Sequence, residues 1–124
     1  MAIKVLIVDD DPNLVVSLDF LFRREGYEVH VACDGQEAMD ALAKLHPALV
    51  LLDVMMPRKN GYEVCAAVRA RHDWDDIQIM MLSAKGREAD IAKGLALGAN
   101  AYMTKPFSTQ ALTQKVAEML QAAA

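Results

Sequence analysis

The 124-residue sequence predicts an α/β fold, a doubly wound parallel sheet with helices on both faces. Short apolar runs alternate strictly with stretches of helical periodicity, five times along the chain, as in the strand–helix units of a parallel sheet. The first and third runs are almost continuously apolar, which is typical of strands covered on both faces. Hydrophobic residues make up 54% of the chain, enough for a globular core.

The first predicted unit begins with a strand over residues 3–8. Asp11 then occupies a typical N-cap position and Pro12 the first helical position, so a helix starts there. Gly26 predicts the end of that helix, because glycine commonly follows the last helical residue. The second strand, residues 27–32, is more polar, which favours a place at an edge of the sheet.

The second helix begins at Asp34, which with Glu37 resembles a capping box, and it ends before Pro47. The third strand, residues 48–52, is the most apolar of the five. A third helix over about residues 61–71 follows it, which completes the third strand–helix unit.

The last two units are predicted in the same way. A strand over residues 77–82 leads into a helix over residues 87–97, and a short strand over residues 99–103 precedes a final helix that Ser108 caps. Gly94 lies inside the fourth helix, where a glycine costs about 1 kcal/mol relative to alanine. We therefore expect the fourth helix to be the softest element.

The composition excludes several classes of protein. The formal net charge is −4 with no lysine or arginine run, so we expect neither nucleic acid nor a membrane surface as a partner. Cys33 and Cys65 lack a metal-binding spacing and are expected to be thiols in a reducing compartment. The sequence shows no signal-peptide pattern and no apolar stretch near the roughly 20 residues of a membrane span. We expect a cytoplasmic protein with a single domain over residues 1–124, either whole or excised from a longer chain.

Other conspicuous side chains favour structural roles. His30, His46 and His72 lie in different segments and form no metal-ligand spacing. Trp74 lies in a polar loop, where we expect it to be partly buried. No glycine-rich nucleotide-binding motif is present, which disfavours a dinucleotide or P-loop site.

The functional crevice of a doubly wound sheet lies beyond the carboxyl ends of its strands. The polar and reactive residues at these ends are Asp9, Asp10, Asp11, Asp53, Ser83, Tyr102 and Lys105. Asp11 is best explained as the helix cap described above. At an effective dielectric constant of about 20, each close pair of carboxylates costs roughly 4 kcal/mol. Such a cluster therefore needs raised pKa values or a bound cation.

The side chains at the strand ends have the chemistry of a phosphoryl-transfer site. Carboxylate oxygens are hard ligands that favour Mg²⁺ or Mn²⁺. Lys105 adds a second positive charge and Ser83 a hydroxyl donor, so that together with a cation they provide contacts for three phosphoryl oxygens. Asp53 between them is a candidate nucleophile.

Four stretches of the sequence, "VLIVDDDP", "LVLLDVMMPRKNGYE", "MLSAKG" and "GANAYMTKPF", occur in an order and at a spacing that resemble the receiver domain of two-component response regulators. The resemblance covers essentially the whole chain, and the receiver domain that it indicates is of the chemotaxis-regulator-like kind. It implies a flavodoxin-like (βα)5 sandwich whose five parallel strands lie in the order 2-1-3-4-5.

The resemblance assigns a phosphoacceptor and a metal site. Asp53 matches the phosphoacceptor. Asp9 and Asp10 match the acidic pair, with Asp10 binding Mg²⁺ directly and Asp9 largely through water. Met55 would offer its backbone carbonyl to the metal.

The resemblance also assigns the groups around the phosphoryl oxygens. Ser83 and Lys105 would each contact one oxygen, and the Lys105–Pro106 bond would be cis. Ser83 and Tyr102 match the pair that moves on phosphorylation. Met55 and Lys85 flank the path of the hydrolytic water and would tune the lifetime of the phosphoryl group.

The implied function is that of a switch rather than of a conventional enzyme, although the domain would promote its own phosphorylation and dephosphorylation. A histidine kinase or a histidine phosphotransfer protein would supply the phosphoryl group, with Mg²⁺ or Mn²⁺ as cofactor. The surface of helix four, strand five and helix five would then change shape and control an output protein or domain. The resemblance also allows a homodimer when the chain is phosphorylated.

Two alternatives remain at this point. The first is an aspartyl-phosphate hydrolase of the haloacid dehalogenase type, because Asp9 and Asp11 reproduce its D-x-D spacing. Three features disfavour it: Asn13 stands where that family usually has Thr or Val, the chain has no room for a cap domain, and Asp53 would have no role. The second is a receiver-like binding module that signals without phosphate. Loss of an acidic or lysine position would favour it, and all of these positions are present.

Overall fold

The computed structural model describes residues 2–56 and 58–123, and in them five strands alternate with five α-helices. The strands are β1 (Lys4–Val8), β2 (Glu28–Ala32), β3 (Leu49–Asp53), β4 (Gln78–Ser83) and β5 (Ala101–Thr104), and the helices are α1 (Pro12–Arg24), α2 (Gly35–Leu45), α3 (Gly61–Arg69), α4 (Glu88–Ala96) and α5 (Thr109–Ala123). All paired strands are parallel, in the order β2-β1-β3-β4-β5. This confirms the predicted flavodoxin-like α/β fold and the edge position of β2.

The core consists of two apolar layers, one on each face of the sheet. Alternate residues of the central strands point to opposite faces, so that Val5 and Leu51 enter one layer while Leu6 and Val50 enter the other. Helices α1 and α5 cover the first layer, and α2 and α3 cover the second. Burial of each large aliphatic side chain contributes about 1.5–3 kcal/mol, so the two layers fix which strand ends become neighbours.

Strand β5 begins at Ala101, two residues later than predicted. The side chain of Asn100 explains it, because its Oδ1 accepts a hydrogen bond from the Ile79 backbone N–H at 2.8 Å, which a strand carbonyl would otherwise accept. Arg69 donates to the same Oδ1 at 2.9 Å. Helix α3 ends two residues earlier than predicted, in a tight turn where the Arg71 N–H bonds the Val68 carbonyl.

Two local predictions are wrong in part. The predicted capping box of α2 is only half formed, because Asp34 accepts from the Glu37 N–H at 2.9 Å while the Glu37 carboxylate accepts from Cys33 rather than from Asp34. Trp74 is not partly but almost fully buried, at 3% exposure, and Arg71 lies 3.9 Å from its ring centroid. The apolar layer beneath the loop accepts the indole ring, which the polar loop sequence did not indicate.

Two glycines bring the β3–α3 loop close to its neighbours. A Cβ atom at Gly35 would overlap the Lys59 carbonyl oxygen, and one at Gly61 would overlap the Asp53 carbonyl oxygen. The absence of a side chain at Gly35 lets Lys59 of the loop pack against the start of α2, and its absence at Gly61 lets the start of α3 lie against the end of β3. None of the helices within residues 2–56 and 58–123 combines the length and the apolar character that a membrane span requires.

Helix α4 is attached more weakly than its neighbours. Its N-cap, Arg87, makes no side-chain capping bond, and within the helix only Gly94 is buried. Helix α1, by contrast, is capped by Asp11 and buries Leu18 and Phe22. Few buried apolar side chains and an uncapped first turn are features of elements that open locally.

We expect the amides of α4 to exchange with deuterium faster than those of α1 and α5 in the unphosphorylated protein. The physical reason is the low apolar burial of α4 and the glycine in its interior. Hydrogen exchange followed by mass spectrometry measures this directly, and equal protection of the three helices would contradict it.

Candidate functional site

The carboxyl ends of β1 and β3 bring three aspartates together. Asp9 and Asp10 follow β1 directly, and Asp53 is the last residue of β3. One carboxylate oxygen from each of them lies within 4.8 Å of the others. Asp9 and Asp53 are 3% and 5% exposed, whereas Asp10 is open to solvent.

Lys105 places a cation between the two buried carboxylates. Its Nζ donates to Asp9 Oδ2 at 2.9 Å and lies 3.5 Å from Asp53 Oδ1. The Lys105 backbone N–H donates to the Ser83 carbonyl at 2.8 Å, which fixes the start of the β5–α5 loop against β4. The Lys105–Pro106 peptide bond is cis, as the resemblance described above implied.

Burial and the neighbouring charges make the Asp53 carboxyl group harder to ionise than an ordinary aspartate. Burial, followed by repulsion from Asp9, raises the pKa of Asp53 to about 6, although Lys105 and the Met55 N–H act in the opposite direction. Burial favours the neutral amine of Lys105, but its hydrogen bond to Asp9 and the charges of Asp53 and Asp9 outweigh this and raise its pKa. One ammonium therefore does not neutralise three neighbouring carboxylates.

The donor set fits a hard divalent cation. The three side chains offer only carboxylate oxygens, the ligand type that Mg²⁺ and Mn²⁺ prefer. Both oxygens of Asp9 already have partners, since Oδ1 accepts from the Asp11 N–H at 2.9 Å and Oδ2 from Lys105. Asp10 is therefore better placed than Asp9 to give an oxygen directly to a cation, and a second positive charge would relieve the repulsion that raises the pKa of Asp53.

Ser83 and Tyr102 both bond the main chain of one residue, Lys85. The Oγ atom of Ser83, which is fully buried, accepts from the Lys85 N–H at 3.1 Å. The Tyr102 hydroxyl donates to the Lys85 carbonyl at 2.7 Å. A movement of the Ser83 side chain therefore alters the loop that also holds the Tyr102 hydroxyl.

Met55 and Lys85 border one cavity. It has a volume of about 260 Å³, begins beside the end of β3, and is also lined by Asn60, Tyr62 and Lys93. Met55 is 59% exposed. The two residues that the resemblance connects with the lifetime of the phosphoryl group thus line one cavity, beside Val54, the residue that follows Asp53.

The sequence did not reveal how the β3–α3 loop is anchored. Arg58, which has a positive φ of 67°, donates to the buried carboxylate of Asp34 through Nη2 at 2.6 Å. A capping box between Asn60 and Glu63 starts the following helix. The asparagine-to-glutamate spacing was a readable signal for the box, whereas nothing local in the sequence signals the ion pair.

We expect Asp53→Asn to stabilise the metal-depleted protein at neutral pH. The folded-state pKa of about 6 lies above the ordinary value of 3.8, so ionisation of Asp53 costs stability as pH rises from about 4 to 6. That interval corresponds to about 3 kcal/mol in the free energy of unfolding. Urea unfolding in EDTA measures it at pH 4 and pH 8.

The difference in the free energy of unfolding between Asp53→Asn and the wild type should be near zero at pH 4 and should reach its full size at pH 8. Asp11→Asn is the control, because the Asp11 carboxylate caps α1 outside the cluster. A gap of the same size at both pH values would contradict the raised pKa of Asp53.

The sequence matches the family model described as the response regulator receiver domain over residues 5–117. Solved structures agree. A protein assigned as a response regulator from Chloroflexus aurantiacus J-10-fl is 36% identical with a TM-score of 0.92, covering 98% of this chain and 99% of that chain. The Vibrio cholerae chemotaxis protein CheY4 is 30% identical with a TM-score of 0.90, covering 96% and 99%.

A third similar structure is the BeF3-activated DrrB receiver domain, which is 27% identical with a TM-score of 0.87 and covers 98% of this chain and 99% of that chain. The family match spans the chain from β1 into α5, and the strand order is the one that the resemblance implied. The chain therefore belongs to the response regulator receiver domain family of two-component systems.

Proposed function

We propose that the chain is a phosphorylation-operated switch in which Asp53 accepts a phosphoryl group from a histidine kinase or a histidine phosphotransfer protein. The observation that carries the proposal is the position of Asp53, buried beside Asp9 and within 3.5 Å of Lys105 at the carboxyl end of the sheet. An aspartate without a functional role would not be buried beside a second carboxylate, because this environment disfavours its charged form.

The transfer step is a displacement at phosphorus. An oxygen of the Asp53 carboxylate attacks the phosphorus of phosphohistidine, the P–N bond breaks, and a P–O bond to Asp53 forms. The departing imidazole nitrogen keeps the bonding electron pair and takes a proton from solvent. Asp53 must be ionised to attack, and since its pKa is about 6 without metal, the carboxylate form is available at neutral pH.

The residues that would hold Mg²⁺ or Mn²⁺ are Asp9, Asp10 and Asp53, with the backbone carbonyl of Met55. The cation, when bound, supplies positive charge against which the negative charge of the phosphoryl oxygens develops. Lys105 offers its ammonium to a second phosphoryl oxygen, and Ser83 offers its hydroxyl to a third.

The switch follows from the added charge. A phosphoryl group brings about −2 charge and three acceptor oxygens next to Ser83. A hydrogen bond from Ser83 to this group draws its side chain toward Asp53 and disturbs the Lys85 peptide that Ser83 and Tyr102 share. Tyr102 then moves into the vacated space, and the surface of α4, β5 and α5 changes shape, which biases a two-state equilibrium.

The output of the switch is a protein or domain that reads the surface of α4, β5 and α5, and a homodimer of the phosphorylated form is one such output. In the proposed function the protein acts in the cytoplasm, and this domain does not bind nucleic acid. Activation of the DrrB receiver domain by BeF3, a mimic of a phosphoryl group, supports the same behaviour for this chain.

We expect incubation with Mg²⁺ and acetyl phosphate to add one phosphoryl group per chain, and Asp53→Ala to abolish the addition because the acceptor oxygen is lost. Intact-protein mass spectrometry with peptide mapping measures it. Asp11→Asn should still be labelled, because Asp11 caps α1 and its removal leaves the acceptor in place.

The same experiment separates the alternatives. Continuous release of phosphate that Asp9→Ala abolishes and Asp53→Ala does not would indicate the hydrolase reading. No labelling of the folded wild type would indicate a binding module that acts without phosphate.

We expect Met55→Asn to change the first-order rate constant of phosphoryl loss from Asp53. The exposed Met55 side chain lines the cavity that it shares with Lys85, so an amide there changes both the polarity of this cavity and the access of water. The decay of the labelled species after removal of acetyl phosphate gives the rate constant. An unchanged rate constant would mean that this side chain does not control the approach of water.

A further inference from the structure

Tyr62 connects α3 to α4 through its hydroxyl group. The side chain is 7% exposed, and its hydroxyl donates to the Asp90 backbone carbonyl in the first turn of α4 at 3.1 Å. Lys93, one turn further along α4, lies with its Nζ 4.5 Å from the centroid of the Tyr62 ring. Burial, and after it the neighbouring Tyr102 hydroxyl, raises the pKa of Tyr62 to about 12, so the hydroxyl keeps its proton as a donor.

Tyr62 acts on the same helix as Tyr102 but at a different point. Tyr102 holds the loop before α4 through the Lys85 carbonyl, and Tyr62 holds the first turn of the helix itself. The Tyr102 ring also packs against α4, because a Cβ atom at Gly94 would come within 3.0 Å of its Cδ2 atom. The first turn of α4 is thus held by a tyrosine hydroxyl from α3, and the loop before it by a tyrosine hydroxyl from β5.

These two bonds matter because α4 has few other attachments. Its N-cap makes no side-chain bond and only Gly94 is buried within the helix. A displacement of α4 relative to α3 separates the Tyr62 hydroxyl from the Asp90 carbonyl. A buried hydroxyl that loses its partner costs free energy, so this bond favours the arrangement described above.

We propose that Tyr62 is a positioning residue of the switch, whose hydroxyl holds α4 in the unphosphorylated arrangement and thereby sets how readily the chain converts to the phosphorylated one. The role rests on the proposed function, since it concerns the same two-state change. Through Tyr62, α3 takes part in the equilibrium between the unphosphorylated and phosphorylated arrangements, which changes the surface of α4, β5 and α5.

The consequence is a population shift. If the bond exists in only one arrangement, its removal raises the fraction of the other, and a ligand that requires the other arrangement then binds more tightly by the same factor. For one hydrogen bond of ordinary net strength the factor is roughly two to ten.

The test compares the wild type with Tyr62→Phe, which removes only the hydroxyl, using beryllium trifluoride with saturating Mg²⁺ as the probe. We expect Tyr62→Phe to bind the probe roughly two- to tenfold more tightly and to exchange the amides of residues 88–96 faster in its absence. Tyr27→Phe is the matched control, since Tyr27 packs against Phe22 near the other face of the sheet and should change neither quantity.

The outcomes separate this role from the function on which it rests. Failure of the folded wild type to bind the probe would overturn the proposed function itself. Binding by the wild type with unchanged or weaker binding by Tyr62→Phe would overturn only the role of Tyr62. Urea unfolding identifies a merely structural effect, which lowers global stability without tightening the binding of the probe.

Discussion

The ion pair of Lys105 with the buried carboxylates is the interaction on which the site depends. Parallel pairing of β1, β3 and β4 forces Asp9 and Asp53 into one shielded place, where their charges repel. Lys105 offsets part of that repulsion from the far side of β4, at 2.9 Å from Asp9. Burial, together with the repulsion that remains, keeps the pKa of Asp53 near 6, and in the proposed function this favours binding of a second cation and then of a phosphoryl group.

In the proposed switch, a change of charge at Asp53 reaches α4 through a short series of hydrogen bonds. Ser83 and Tyr102 bond the two polar groups of the Lys85 main chain, and Tyr102 and Tyr62 both bond the region that starts α4. Since α4 has little apolar burial of its own, these hydrogen bonds help to fix its position. A lightly attached helix beside a highly charged cluster is suited to a switch.

The sequence predicted what depends on local pattern. Apolar runs and caps such as Asp11 gave the elements, and strict alternation gave the parallel sheet, from which the convergence of Asp53 and Lys105 on one edge followed. It did not predict the ion pair of Arg58 with Asp34 or the bond of Tyr62 to the Asp90 carbonyl. Each joins groups more than twenty residues apart, and one partner of the second is a main-chain atom that every residue type carries. The start of β5 differed from the prediction because the Asn100 side chain replaces a backbone group there.

The most direct test of the central claim is the affinity for Mg²⁺ as a function of pH, measured by isothermal titration calorimetry between pH 5 and pH 8. A proton must leave Asp53 before a cation can bind at full strength. The association constant should therefore rise about tenfold per pH unit below a pH of about 6 and become constant above about 7. An affinity independent of pH over this range, or no binding of Mg²⁺ at all, would contradict a site governed by repulsion among buried carboxylates.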